Sequence, residues 1–408
     1  MYRLGMLGGG TVGGGVYEIL SSRSNIVISK ICVRSLEKTR DFEIDPKTTT
    51  LTTDVNELLG DDIDCLVEVA GGSSGVVKDT VFRALQAGKS VVTANKALLA
   101  EHMTEIQAIL AQQPKARIGY EASVCGGIPI IQALSTCYTG DQIHSLQGIM
   151  NGTTNYMLSA MAKDTTVSYD AILKEAQDLG YAEADPTADV EGHDVRAKIA
   201  ILAQLAFGCS SIPVETIPCT GISSITSTDF AWAAERSATI KLIGTAAVQN
   251  DGSSLAVYVT PTIVGPTSLL ASIQGSGNCV AVTSHNMGGA TVPCLYTGPG
   301  AGRFPTANSI VADIDRAATA SLPPTAFTVS HPDRVVVADY TAESFYLRIA
   351  GTPSLANVFA TTVGSDVPVQ SVVVKDGHTI LTTGPAQQSA VAALSKAIGC
   401  AVFMPILP

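Results

Sequence analysis

Charge is scarce in this chain. Asp, Glu, Lys and Arg make up 15% of its 408 residues, and acids outnumber bases 36 to 25. The net charge of -11 comes with no cluster of Lys and Arg, which argues against nucleic acid as a partner. No uninterrupted apolar run approaches the roughly 18 residues that a membrane helix needs. The opening Met1–Gly10 has too short an apolar stretch and too many glycines for a secretory signal. Nine cysteines are an odd, scattered set with no C-x-x-C pair, and the six histidines lack ligand spacing. Neither a disulfide framework nor a zinc site is indicated, and the expected location is a reducing cytoplasm. What the chain does have is apolar content, 46%, enough for a compact fold of two or three domains.

The first 120 residues alternate β-rich runs with helical stretches. Strands are expected at Tyr2–Leu7, Ile26–Val33, Ile63–Val69, Ser90–Thr93 and Ala116–Tyr120, and helices at Val12–Leu20, Val76–Ala87 and Lys96–Leu110. That alternation predicts an α/β, doubly wound parallel sheet. The pattern then turns to α+β, with helices near Tyr169–Leu179 and Asp194–Ala206 and β-branched runs at Leu255–Val264 and Cys279–Ser284. Leu322-Pro323-Pro324 reads as a linker, since paired prolines continue neither helix nor central strand. Beyond it the order is strand (Ser344–Ile349), helix (Pro353–Thr361), strand (Val369–Val374), strand (Thr379–Thr383), helix (Ala386–Ile398) and strand (Cys400–Met404). This βαββαβ order predicts a ferredoxin-like unit. Domains are therefore expected at 1–127, 128–320 and 321–408, with the last helix of the second packing back on the first.

Gly8-Gly9-Gly10-Thr11-Val12-Gly13 satisfies G-x-G-x-x-G between a strand and a helix, the context in which such a loop binds the pyrophosphate of a dinucleotide. An NAD site would place an acidic residue at the end of the second strand. This strand ends Val33-Arg34-Ser35, with Lys38 and Arg40 close behind, which favours NADP while leaving NAD possible.

Three further segments are dense in small and charged residues. Thr93-Ala94-Asn95-Lys96 closes an expected parallel strand, where open sheets bind ligands, and Lys96 there could reach a cofactor or a carboxylate. Glu121-Ala122-Ser123-Val124-Cys125-Gly126-Gly127-Ile128 puts one carboxylate before a flexible turn that can offer carbonyls to a hard cation. From Glu183 to Asp194 five carboxylates crowd into twelve residues, and Asp194 and Lys198 stand i, i+4 on one helical face. A solvated acidic loop with a surface ion pair would look the same. So would a site that binds an ammonium and donates a proton from a partly desolvated lysine.

At these positions the chain resembles homoserine dehydrogenase. The resemblance rests on Gly8–Gly13, Thr93-Ala94-Asn95-Lys96, Tyr120-Glu121-Ala122-Ser123 and Asn151-Gly152-Thr153-Thr154-Asn155-Tyr156. It continues through Glu183-Ala184-Asp185-Pro186 with Asp189, Asp194 and Lys198, and Gly298-Pro299-Gly300-Ala301-Gly302 with Pro305-Thr306-Ala307. It implies reversible NAD(P)H-dependent reduction of L-aspartate 4-semialdehyde to L-homoserine, in threonine, methionine and isoleucine biosynthesis. It further implies Lys198 as proton donor, with Lys96 against cofactor and substrate and Glu183, Asp189 and Asp194 holding the substrate. Gly8, Gly10, Thr11, Val12, Gly13, Arg34, Gly180, Gly300 and Gly302 would line the cofactor site. A sodium ion would sit on Glu121 and the carbonyls of Val124, Gly126 and Ile128. The implied fold is a Rossmann-type nucleotide domain, an α+β catalytic domain and a C-terminal ACT-like domain that could take an amino-acid effector, in a homo-oligomer. Two positions depart from the family pattern. Cys125 replaces a small residue, and the Asp-x-Pro-Gly turn of ACT domains reads Gly351-Thr352-Pro353-Ser354, which weakens the case for threonine sensing.

Two rival readings follow from the same residues. A phosphorylating semialdehyde dehydrogenase would use Cys125 as nucleophile, leaving the Glu183–Lys198 block without work. A non-catalytic NADP- and amino-acid-binding regulator would make both lysines structural.

Overall fold

The computed structural model describes residues 1–209, 212–249, 252–286, 292–323, 327–351 and 366–408. Contacts divide the chain into two interleaved units. Unit 1 comprises Met1–Ile143, Ala200–Val214 and Tyr296–Asp333, and unit 2 comprises His144–Ile199, Glu215–Leu295 and Arg334–Pro408. Among the elements that run from one unit into the other are α8 (His193–Phe207) and β11 (Cys294–Pro299).

Unit 1 is built on six strands: β1 (Tyr2–Leu7), β2 (Ile26–Cys32), β3 (Thr50–Thr52), β4 (Cys65–Glu68), β5 (Ser90–Thr93) and β6 (Arg117–Gly119). Their order is β3-β2-β1-β4-β5-β6 with every pairing parallel, the Rossmann order. Four buried residues in β4 and three in β5 show why these strands read as apolar runs: helices cover both faces. The crossovers are α1 (Thr11–Ser21), α2 (Val76–Gln86) and α3 (Lys96–Gln112), and α4 (Ile130–Thr136) follows β6. Within the same unit, α10 (Arg303–Ala318) packs along α1. Ala307, Ile310 and Ile314 join Leu4, Met6 and Val16 in one core, and Ala307 sits so close to Gly15 that a side chain there would collide. Helix α10 also packs against β5 and β6 of this sheet.

Unit 2 carries one long sheet. Its first strands are β7 (Ile143–Ile149), β8 (Thr239–Gln249), β9 (Ser254–Val264) and β10 (Gly277–Ser284). The C-terminal region supplies β14 (Phe345–Ala350), β15 (Val369–Lys375), β16 (His378–Thr383) and β18 (Cys400–Leu407). The sheet runs in the order β10-β7-β8-β9-β18-β14-β16-β15. Its last four strands are antiparallel in the order 4-1-3-2 of a ferredoxin-like unit. β18 also pairs with β9 at Ile406–Ile263 and Leu407–Val264, so the C-terminal strands continue the same sheet. Short strands β12 (Val335–Val337) and β13 (Thr341–Ala342) pair with β9 and with β17 (Ala386–Gln387). The helices are α5 (Gly152–Lys163), α6 (Tyr169–Asp178), α7 (Thr187–Val190), α9 (Ser227–Ala234) and α11 (Gln388–Ala397), with the first part of α8. The helix expected from Ala386 starts at Gln388, because Ala386–Gln387 is spent on the β13 ladder. The helix expected at Pro353–Thr361, the turn residues Thr352–Ser354 and Pro324 of the linker lie outside the described residues.

Candidate active site

In unit 1 the loop after β1 is shaped by close approach. Gly8 has φ 109°, and a side chain on it would strike Val69 and Ala70 at 2.9 Å; one on Gly13 would strike the Gly8 carbonyl at 2.7 Å. Gly10, at the N-cap of α1, faces open space, and no side chain caps that helix. Its first N–H groups and its positive dipole end are thus turned to whatever lies over Gly8–Gly13, the cradle a pyrophosphate needs. Thr11 is exposed and Val12 half-buried at this rim.

Past β2, Arg34 is exposed, with no carboxylate at the strand end. Arg40 folds back over the same segment. Its guanidinium donates to the carbonyls of Ser35 and Lys38, both at 2.8 Å, and its Nε lies 3.4 Å from where a Gly9 side chain would begin. A second arginine therefore borders the loop, placed there by the turn 33–40. Behind it, Arg303 ties Asp41 to Glu18 of α1, and the Asp45 N–H donates to the Tyr17 hydroxyl at 2.8 Å. Lys96 is the half-buried first residue of α3, whose N-cap Asn95 accepts from the Leu98 N–H at 3.1 Å.

The loop after β6 is tightly built. Both oxygens of Glu121 accept backbone N–H bonds from the first turn of α4, from Ile131 and Gln132 at 2.8 Å each. Burial pushes its carboxyl up to about 7 against those bonds. Among the described residues no three His, Cys, Asp or Glu side chains gather as a metal site. The Gly126 carbonyl accepts the Ser309 hydroxyl at 2.6 Å, and Val124 and Ile128 are buried. Gly300 meets this loop: its carbonyl lies 3.0 Å from where a Gly126 side chain would start, while Gly302 opens α10 with φ 127°. Cys125 is 1% exposed with φ 51°, a left-handed conformation that disfavours a side chain. A thiol enclosed in this way is a filler and not an open nucleophile or redox site. All nine cysteines are unbridged.

In unit 2 the carboxylate-rich block becomes a network. Lys198 Nζ donates to Asp194 Oδ2 at 2.8 Å and to the Met150 carbonyl at 2.6 Å, and both side chains are about nine-tenths buried. This is no solvated i, i+4 pair. Asn151, the N-cap of α5, donates from Nδ2 to Asp189 Oδ1 at 2.6 Å and Asp194 Oδ2 at 3.0 Å, while its Oδ1 accepts from the Thr154 N–H. Burial raises the Asp189 carboxyl above its ordinary range, the Asn151 bond pulls it down, and the Asp194 charge raises it again. Asn151 is the residue whose role the sequence did not disclose; its one local signal is an asparagine just ahead of a helix. Glu183 is different: it is exposed, and only its carbonyl is used, accepting from Gln177. Gly180, with φ 78°, ends α6 in a Schellman turn, with Tyr181 N–H to Ala176 carbonyl at 2.8 Å and Gly180 N–H to Gln177 carbonyl at 3.0 Å.

A Rossmann sheet with an open pyrophosphate cradle, in a chain that also carries a buried lysine–aspartate pair, defines a nicotinamide-dinucleotide-dependent dehydrogenase. Comparison with known proteins gives the family. A family model described as homoserine dehydrogenase matches residues 129–314, and one described as homoserine dehydrogenase, NAD binding domain, matches residues 8–121. The Bacillus subtilis homoserine dehydrogenase is 42% identical over 322 residues, 76% of this chain and 72% of that one. The Neisseria gonorrhoeae homoserine dehydrogenase is 37% identical over 395 residues, 91% and 88%. A Thiobacillus denitrificans homoserine dehydrogenase structure superposes with TM-score 0.89 at 34% identity, covering 100% of this chain and 98% of that one. The chain belongs to the homoserine dehydrogenase family and is an oxidoreductase of that kind. No helix among the described residues is long and apolar enough to cross a membrane.

Proposed function

We propose that the chain reduces L-aspartate 4-semialdehyde to L-homoserine with NADPH in preference to NADH, with Lys198 giving the proton to the aldehyde oxygen. The observation that carries this is the buried Lys198 ammonium, aimed by Asp194 and the Met150 carbonyl. A lysine held by two fixed acceptors is oriented in advance, which supports its assignment as the general acid. A bound dihydronicotinamide supplies the hydride. Asp194 and Asn151 orient Lys198, and Asp189 with Asp194 attracts the substrate ammonium, while Glu183 reaches it from an exposed position. Lys96 contacts cofactor and substrate carboxylate. Gly180, Gly300 and Gly302 border the cofactor in the same reading, which assigns nucleotide binding, substrate binding and regulation to residues 1–127, 128–320 and 321–408.

The NADP preference is supported by Arg34 and Arg40 beside the loop and by the missing acid at the end of β2. NADPH should be oxidised by aspartate semialdehyde without phosphate, with kcat/KM above that for NADH. Arg34→Asp should narrow the ratio by about tenfold, a charge-assisted contact turned into repulsion. Phosphate-dependent turnover would replace this reading by the phosphorylating one, and no turnover by the regulator. An unchanged ratio in Arg34→Asp would move selectivity to Arg40.

Sodium on Glu121 and the carbonyls of Val124, Gly126 and Ile128 belongs to the same proposal, supported by the burial of all four residues in one short loop. Both Glu121 oxygens, the Gly126 carbonyl and the Ile128 carbonyl already accept hydrogen bonds, so the ion would share or displace those donors, and no chemical step runs through it. A Tm no higher in sodium chloride than in choline chloride at equal ionic strength would remove it. The ferredoxin-like strand order supports an ACT-like module. Light scattering and a threonine titration test the homo-oligomer and the effector that the resemblance implies.

A further inference from the structure

Glu68 ends β4 at the carboxyl edge of the unit 1 sheet and is fully buried. Its three hydrogen bonds come from neutral donors. Oε1 accepts the N–H groups of Ala70 and Gly71, both at 2.9 Å, and Oε2 accepts the Thr93 hydroxyl at 2.6 Å. Thr93 Oγ1 accepts the Asn95 N–H at 3.0 Å, and Asn95 Nδ2 donates to the Gly72 carbonyl at 2.7 Å. The bonds close a ring: from Glu68 to the loop Ala70–Gly72, from that loop to Asn95, and through Thr93 back to Glu68. Asn95 is also the cap that starts α3, so the ring fixes the helical turn on which Lys96 stands.

A carboxylate is an expensive group to bury for the sake of a turn. This one draws three donors onto one point, and such charge-assisted bonds are the short, strong ones. The outer face of the loop is bare: Gly71 and Gly72 have φ 75° and 91°, and nothing lies within 4 Å of where their side chains would begin. Parallel sheets receive ligands just outside the carboxyl ends of their strands. The loop after β4 neighbours the glycine loop after β1, since a side chain on Gly8 would strike Val69 and Ala70.

We infer that Glu68 is a positioning residue of the cofactor site. Through Ala70–Gly72 and Asn95 it shapes the surface that receives the nicotinamide half of the dinucleotide and fixes the base of Lys96. The inference rests on the proposed placement of the cofactor along this edge of the sheet.

Glu68→Gln keeps size and shape but sets an amide NH2 against the Thr93 hydroxyl, or turns that NH2 toward two backbone N–H groups. NADPH binding, followed by its fluorescence without substrate, should weaken about 10–100-fold, the range for loss of a hydrogen bond to a charged group. The KM for aspartate semialdehyde should rise less than the NADPH dissociation constant, because the substrate contacts other than Lys96 lie outside the ring. The isotope effect with 4-deuterated NADPH should rise, because a misplaced ring slows hydride transfer relative to release. Thr93→Val should weaken NADPH in the same direction, and Thr93→Ser, which keeps the hydroxyl, should restore it; this pair decides the matter if Glu68→Gln does not fold. Unchanged NADPH binding in Glu68→Gln or in Thr93→Val overturns the inference, as does a parallel loss of NADPH affinity, substrate KM and Tm. A wild type that fails to bind NADPH in the same titration removes the parent reading and this one with it.

Discussion

Lys198→Ala should lower kcat for aspartate semialdehyde reduction by ~10²–10⁴, the range for loss of a positioned general acid, with NADPH affinity nearly unchanged. The structure raises the stakes of this substitution over what an i, i+4 spacing suggests. An exposed pair at that spacing contributes a few tenths of a kcal/mol and would leave turnover untouched. Lys198 is instead 8% exposed and shares Asp194 with Asn151, which also grips Asp189. Removing the ammonium leaves two carboxylates facing one amide, so some stability should go with the activity. Lys198→Met keeps the volume and serves as the packing control. If both variants keep turnover within threefold, about 0.7 kcal/mol of barrier, another group protonates the aldehyde oxygen. If kcat recovers in Met but not in Ala, the lysine is packing and not chemistry.

The nucleotide half was readable because its signals are local. The strands expected there are short runs rich in apolar and β-branched residues, the stretches between them read as helices, and the glycine loop sits between the first of each; β3, a mere Thr-Leu-Thr, gave no such signal. Strands expected at Tyr2–Leu7 and Ser90–Thr93 occupy those spans without change. The rest depends on contacts far apart in sequence. α5 opens Gly-Thr-Thr, poor helix-formers, and is recognisable mainly through its Asn151 cap. β8 reads as an apolar run broken by Lys241, yet that lysine is fully buried, held by the Ile273 carbonyl at 2.6 Å and Asn155 Oδ1 at 2.9 Å. Desolvation lowers its pKa to about 8. No local pattern announces a buried ammonium. The acidic block likewise split in a way that spacing could not show: Asp189 and Asp194 are drawn together by an asparagine 38 and 43 residues away, while Glu183 stays in solvent. Arg34 and Arg40 differ too, since only the turn between them shows that Arg40 lies nearer the glycine loop.

Arg348→Ala should destabilise unit 2 by about 3–5 kcal/mol, the cost of removing one partner of a buried ion pair. Arg348 is 5% exposed on β14, and its Nε donates to Asp229 Oδ1 at 2.7 Å; Asp229, in α9, is fully buried. The same Oδ1 accepts the Tyr346 hydroxyl at 2.7 Å, and Oδ2 accepts the Thr226 N–H at 2.8 Å, capping α9. A second guanidinium nitrogen donates to the Ser224 carbonyl at 3.0 Å. The alanine would leave a buried carboxylate with neutral donors only and a carbonyl without its partner. At about 2–4 °C per kcal/mol for a unit of this size, the transition should fall by roughly 6–20 °C. Lys375→Ala supplies the contrast, because its partner Glu235 is exposed and such pairs contribute under about 1 kcal/mol. Equal small shifts in the two variants would show that the Asp229 site relaxes and admits water. A large shift for Arg348→Ala alone has a consequence for the C-terminal region. Strand β14 is bound to α9 by this network, and β18 continues the sheet through β9. The module that the sequence marks off at residue 321 would then be a structural part of unit 2, and a chain ending at Asp333 should lose the fold of unit 2 and not merely a regulatory response.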